Sequence, residues 1–258
     1  MPEGSLIPRF GRARRDPALA VLEGFHPVKH ALRFGARIEL LLTPDARELA
    51  RLARMLAPDV AQQMLALARP VSREVFEQLA PLAPNTPAMA LARRALLLPT
   101  EALARAPDSP ALLLEDPRDL GNLGACVRVA AAAGAACVLS TGTHDPWHPD
   151  ALRGAAGLHF ALAVCRLADL EPVTSSSRTL LAVDPEGEPL DPERLEAHVV
   201  LAFGSERYGV SEELTAKAAG RISIPMRPGV SSLNLATSVA AVLFAWRLSR
   251  RSARRGGE

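Results

Sequence analysis

The sequence predicts an α/β protein in two parts, a C-terminal domain built on a parallel sheet and a smaller α/β domain before it. Three observations carry this reading. The chain has 258 residues, a length comfortable for two domains. Its residues are 48% hydrophobic and 22% charged, with a mean hydropathy of +0.10. That composition has ample apolar surface for a core and excludes a disordered or low-complexity chain. From residue 111 onward, short apolar runs alternate with helical stretches, the pattern of a parallel sheet covered on both faces.

Residues 1–17 lack a hydrophobic period and read as a loose basic arm. Ile38 to Leu42 is a strand, ended by Thr43-Pro44-Asp45. Leu49, Leu52, Ala53 and Leu56 recur at helical spacing, so residues 45–57 are a helix. Ser72 is placed to cap the next helix, with Glu74 in its first turn. The three-proline stretch 81–89 is a loop, and residues 99–110 look like a linker or domain edge. In the second half, strands fit residues 111–115, 136–140, 160–164, 179–183, 199–203 and 221–224. A helix fits Asn122 to Ala133, closed by Gly134, and a long one runs from about Ser232 to Arg250. No internal repeat is visible. The division that follows is 1–105, 106–249, and a basic tail, 250–258.

Composition narrows the function classes. Aromatic residues are only 4%, which argues against a surface of many stacked rings. Cys126, Cys137 and Cys165 form no CxxC pair and sit in apolar runs, as buried small hydrophobes in a reducing compartment do. A structural zinc site or a disulfide scaffold is excluded on that pattern, and no metal is expected. The N-terminus has arginines with no apolar run behind them, so no secretory signal is expected. Gly229 to Trp246 is uncharged, but Ser231, Ser232, Asn234, Thr237 and Ser238 interrupt it, which favours a buried helix over a membrane span. The chain reads as soluble and cytoplasmic.

The net charge of +2 hides an asymmetry. Residues 1–105 hold 15 basic against 10 acidic side chains, residues 106–249 hold 11 against 17, and residues 250–258 hold 4 against 1. All the basic residues but Lys29 and Lys217 are arginines, whose planar fork suits phosphate. A basic first segment points to a polyanion partner, with a merely solvated basic face as the alternative.

Ligands of open α/β sheets bind at the carboxyl ends of strands, and three such ends are chemically unusual here. In DLGNLGACVRVAAAAG (119–134), Gly121 and Gly124 permit close backbone approach, and Asn122 is either a helix cap or a site residue. Arg128 has apolar neighbours at Ala125, Val127, Val129 and Ala130, so it is expected to be half-buried and in need of an anion. In LAFGSERYGVSEEL (201–214), a strand ends at Phe203-Gly204, Glu206 and Gly209 follow in a polar turn, and Ser211 caps a helix. In ISIPMRPGVSSLNLATSVAAVLFAWR (222–247), a strand ends at Pro225 and Ser232-Leu233-Asn234 opens the long helix. Capping alone explains each polar residue singly but not their grouping at three strand ends. A dinucleotide site is disfavoured, because GxGxxG and its downstream acidic partner are missing.

Taken together, the segments resemble motifs 1, 2 and 3 of the SpoU (TrmH) family of RNA ribose 2′-O-methyltransferases, in the SPOUT superfamily. Asn122, Gly124 and Arg128 match motif 1; Gly204, Glu206 and Gly209 match motif 2; Ile224-Pro225-Met226 and Ser232-Leu233-Asn234 match motif 3. The likeness spans about residues 111–247 in order, and THDPWHPDALRGAAG (143–157) resembles the family's stretch after the second strand. Leu120 departs from the Pro common before the Gly-Asn of motif 1. More faintly, residues 25–45 and 71–91 resemble the family's ribosomal-protein-like substrate-binding domain.

The resemblance implies a SPOUT domain with a trefoil knot, S-adenosyl-L-methionine as methyl donor, RNA (rRNA or tRNA) as acceptor, and a homodimer. It places the cofactor against Gly204, Ile224, Met226 and Leu233, with Val183 at an earlier strand end as a further contact. It assigns the acceptor chemistry to Arg128. A neutral arginine base is costly at neutral pH, so the expected role is to bind a target phosphate and stabilise the developing alkoxide. Glu206 is expected to hold Arg128 or its neighbours in place, and Asn122, Ser232 and Asn234 to shape the site and orient the ribose. Two alternatives stay open: a SPOUT enzyme that methylates a base, and a non-catalytic RNA-binding homologue.

Overall fold

Six parallel strands form the sheet of the C-terminal half in the computed structural model, which describes residues 3–205 and 207–255, with side chains described through residue 250. Two compact units are distinguished: Met1–Leu96 with Trp147–Ala161, and Leu97–Pro146 with Leu162–Glu258. The first boundary precedes the expected one at residue 105, and a stretch from the middle of the chain joins the first unit.

The first unit holds a four-stranded sheet in the order β1-β4-β2-β3, made by β1 (Leu19–Glu23), β2 (Ile38–Thr43), β3 (Ala68–Pro70) and β4 (Met89–Arg93). β4 is antiparallel to both neighbours, while β2 and β3 run parallel. Its helices are α1 (Leu6–Ala13), α2 (Phe25–Arg33), α3 (Ala46–Leu56), α4 (Ala61–Leu67) and α5 (Arg73–Glu77). Asp45 and Ser72 cap α3 and α5 by accepting hydrogen bonds from the Glu48 and Val75 amides. The expected loose arm is instead largely helix α1. Leu6, Phe10 and Ala13 fall on one face at helical spacing and enter the core beside Val21, Leu40 and Met89. The arginines between them masked that period in the sequence.

The other elements of the chain are α6 (Pro99–Ala104), β5 (Ala111–Leu114), α7 (Leu120–Ala133), β6 (Cys137–Ser140), α8 (Pro149–Gly154), β7 (Ala163–Arg166), α9 (Glu171–Thr174), β8 (Thr179–Pro189), β9 (Val199–Phe203), α10 (Glu212–Lys217), β10 (Gly220–Ser223) and α11 (Leu235–Arg255). Helix α8 belongs to the first unit. There Arg153 pairs with Glu23 at 2.5 Å, and Arg14 reaches the same carboxylate at 2.6 Å. Glu23 is buried, and two guanidiniums offset the cost of its desolvation.

In the second unit the strand order is β10-β8-β9-β5-β6-β7, parallel throughout. β5 and β9 are fully buried in the middle, which accounts for their continuous apolar runs. Helix α7 is capped by Asp119, whose carboxylate accepts from the Asn122 amide at 2.7 Å. It ends at Gly134 in the left-handed conformation, φ 76°, and Arg247 donates to the Ala133 carbonyl at 2.6 Å.

Several sequence expectations are corrected here. Residues 99–104 are helix rather than linker: Glu101 accepts from the Leu98 amide, and Ala102 and Leu103 are buried. The strand expected at 160–164 starts at Ala163, because Leu158–Phe160 form a 3-10 turn. The long helix starts at Leu235, three residues after Ser232, and runs through Arg255; residues 256–258 of the expected basic tail lie outside the described residues. Among the described residues, no helix is long and apolar enough to cross a membrane.

Arg178 ties the second unit together. It is buried, and its guanidinium donates to the carbonyls of Leu103, Arg105, Ala106 and Ser109 at 2.7–3.1 Å. These carbonyls belong to the end of α6 and the turn after it. Burial draws the Arg178 pKa below its ordinary value, and the carbonyl dipoles replace the missing carboxylate. Arg178→Met should leave them without that donor and lower the free energy of unfolding in urea by about 2–5 kcal/mol. Arg178→Lys should recover only part of the loss.

All three cysteines are free and buried, and burial pushes the Cys137 thiol up to about 12 and raises Cys165. Thiolate is the reactive form, so iodoacetamide at pH 8 should label them only after denaturation. Rapid labelling of the native protein would show that the core around β6 and β7 opens.

Candidate functional site

The middle of β8 and the carboxyl ends of β9 and β10 enclose a cavity of about 550 Å³ with the first turn of α11. Strand pairing explains the opening. β10 pairs with β8 through Gly220↔Leu181 and Arg221↔Ala182, then resumes at Ile222↔Glu188. Residues 183–187 of β8 have no partner on β10, and Val183, Asp184 and Pro185 form one wall. The expected strand 179–183 is thus the regular part of a longer one.

The second wall is the loop after β9. Ser205 and Gly209 exchange backbone hydrogen bonds, both 3.0 Å, and close a tight turn. This turn folds against Gly204 so closely that a Cβ there would overlap the Gly209 carbonyl and the Val210 nitrogen. Gly209 itself has φ +67°, a conformation that favours glycine. Beyond the turn, Glu115 at the end of β5 accepts from the Ser211 amide at 2.8 Å and from its hydroxyl, while Ser211 caps α10.

The third wall comes from Ile224 and Met226 after β10 and from Ser232, Leu233 and Asn234 before α11. Asn234 holds this wall in place: its Oδ1 accepts from the Ala236 amide at 2.9 Å, and its Nδ2 donates to Asn122 Oδ1 at 2.9 Å. The side chain therefore caps α11 and joins it to the first turn of α7.

All five residues expected to touch a cofactor, Gly204, Ile224, Met226, Leu233 and Val183, line this one cavity, as do Ser232 and Asn234. Asn122 stands one hydrogen bond behind it and is not the cap of α7, a role that Asp119 takes. Glu206 lies outside the described residues. Arg128 is corrected: it is exposed and has no ion-pair partner among the described residues. Leu123, Cys126, Val127, Ala130 and Ala133 take the inner face of α7, and that period turns Arg128 outward. Phe203, Ser205, Arg207 and Ser238 also line the cavity. They were missed, although Ser205 and Arg207 stand beside the motif 2 residues. Among the described residues, no group of three or more His, Cys, Asp or Glu is placed to hold a metal ion.

The model of the SpoU rRNA Methylase family matches residues 109–244. An uncharacterized tRNA/rRNA methyltransferase of Synechocystis is 33% identical over 139 residues, covering 52% of this chain and 51% of that protein. This chain thus spans about half the length of that relative. The 23S rRNA (guanosine(2553)-2′-O)-methyltransferase RlmP of Bacillus subtilis is 29% identical over 230 residues, 87% of this chain and 86% of that one. In fold, the chain is similar to the SpoU methyltransferase AviRb from Streptomyces viridochromogenes, solved with AdoMet, at TM-score 0.75 and 24% identity, with 97% of each chain covered.

The packing at Gly204 yields a sharp test. Gly204→Ala adds one methyl group, but that group must displace backbone rather than a flexible side chain. The variant should keep its far-ultraviolet circular dichroism and lose detectable S-adenosylmethionine binding in isothermal titration. Wild-type affinity in the variant would place the ligand elsewhere.

Proposed function

The chain belongs to the SpoU rRNA methylase family, and on that premise we propose that it transfers the methyl group of S-adenosylmethionine to a ribose 2′-hydroxyl of ribosomal RNA. The observation that carries this reading is the convergence of three separated segments on one cavity at the strand ends. Its volume suits a nucleoside-sized ligand, and the relative matched over most of both chains is a 23S rRNA 2′-O-methyltransferase.

The residues present fit the cofactor. Val183, Phe203, Ile224, Met226 and Leu233 offer apolar contact for a purine, and Gly204 leaves the backbone open to it. Ser205, Arg207, Ser232 and Asn234 supply polar groups around the same space. When bound, S-adenosylmethionine supplies an electrophilic methyl group on a sulfonium.

The chain's own work is to position and activate the acceptor. Asn122 and Asn234, locked to each other, fix the edge where the ribose enters. Arg128, outward-facing and with no ion pair among the described residues, takes a phosphate of the target nucleotide and stabilises charge developing on the 2′-oxygen. The 2′-hydroxyl would give its proton to water as its oxygen takes the methyl group, and the donor would leave as a neutral thioether. Glu206 is assigned to hold the arginine or its neighbours.

RNA binding is assigned to the first unit. Arg37, Arg47, Arg54, Arg69 and Arg73 are exposed and form no ion pair among the described residues. The homodimer and the trefoil knot implied by the resemblance are part of the same reading. Support for the homodimer comes from α11, where Phe244 and Leu248 are exposed one turn apart and Val230 and Leu233 are exposed just before the helix.

With saturating cofactor and 23S rRNA transcript, Arg128→Ala should lower turnover by about a hundredfold or more. Cofactor affinity should barely change, since Arg128 does not line the cavity. Arg128→Lys should rescue partly, because an ammonium lacks the planar fork. Normal turnover in Arg128→Ala would reduce Arg128 to a surface helix residue and place acceptor activation elsewhere.

A further inference from the structure

Tyr208 is the only tyrosine of the chain and its most exposed large apolar side chain among the described residues, at 74%. It sits on the tight turn after β9, three residues after Ser205 and next to Arg207, both of which line the cavity. Its ring also borders a second, open depression with Pro185, Val210 and Thr215. The Arg207 guanidinium lies 5.3 Å from the ring centroid.

We propose that Tyr208, with Arg207 against its ring, is a stacking platform for an RNA base that flanks the methylated ribose. This rests on the functional reading above and adds a positioning residue to it. An exposed ring normally loses conformational freedom when it binds, but this one is carried on a constrained turn. The Ser205–Gly209 bridge closes the turn, the Gly204 contact holds it to the sheet, and the Tyr208 amide donates to Ser205 Oγ at 3.3 Å. The platform is therefore partly ordered before RNA arrives. Unpaired bases splayed out for chemistry need such a surface, and stacking tolerates any base because each has a π face. The neighbouring guanidinium adds a cation for the backbone phosphates. Asp184, Glu186 and Glu212 border the open depression together with Arg221, which pairs with Glu186 at 3.2 Å; three carboxylates against one guanidinium disfavour phosphate there and leave the ring itself as the contact.

The test uses the full chain, S-adenosylmethionine and a 23S rRNA transcript. Tyr208→Ala should raise both the KM and the filter-binding Kd for the transcript by about tenfold or more, the range expected for one lost stack. Its kcat and its Kd for S-adenosylmethionine should stay within about twofold of wild type, whereas a collapsed turn would move them. Tyr208→Phe and Tyr208→Trp, which keep a ring, should restore the RNA affinity. Wild-type KM and Kd in Tyr208→Ala, or equal losses in Tyr208→Ala and Tyr208→Phe, would overturn the platform. The two readings fail separately. A wild-type chain that binds the transcript without methylating it contradicts the assigned acceptor, while the Kd series still decides the platform. A wild-type chain that does not bind the transcript contradicts both.

Discussion

A missing side chain governs the site. The turn after β9 lies directly on the end of its own strand, at a distance that admits no Cβ on Gly204. Closing that turn produces the Ser205–Gly209 bridge, directs Arg207 to the cavity and leaves Tyr208 open. The wall it makes faces a second one formed for a different reason, the residues of β8 that have no partner on β10. Both walls follow from how closely two stretches of backbone approach. Hydrogen bonds then brace each wall, Ser205 with Gly209 in one and Glu186 with Arg221 in the other.

Polar contacts then fix what the backbone outlines. The Asn122–Asn234 hydrogen bond joins the first turns of α7 and α11, so one edge of the candidate site is shared between elements far apart in sequence. Arg247 secures the opposite end of α7 through the Ala133 carbonyl. With α7 held at both ends and its apolar face inside, Arg128 has one direction left, outward. An arginine held in that way is open to an anion that arrives with the substrate.

Much of this was legible in the sequence, for identifiable reasons. The buried strands β5 and β9 are uninterrupted apolar runs, and parallel burial on both faces leaves no other pattern. Most cavity residues were legible through motifs 2 and 3, whose residue types and order are unusual enough to stand out, whereas motif 1 supplies none of the lining. Other features were hidden. Helix α1 was masked by arginines between its apolar positions, and Pro99 opens a helix where prolines suggested a linker. The burial of Arg128 was misjudged because flanking residues in sequence are not its neighbours on a helix face. Arg178 had no signal at all, since its partners are backbone carbonyls that composition cannot reveal. The Glu23–Arg153 pair was equally silent, because it depends on where the distant helix α8 packs.

The central claim is that the cavity presents a methyl group to a ribose oxygen of RNA. It is tested most directly by incubating the full chain with methyl-labelled S-adenosylmethionine and 23S rRNA transcript and hydrolysing the RNA with alkali. A 2′-O-methyl group blocks cleavage at its own nucleotide, so the account predicts label in alkali-resistant dinucleotides. Label released in mononucleotides would mean methylation of a base and would contradict the account.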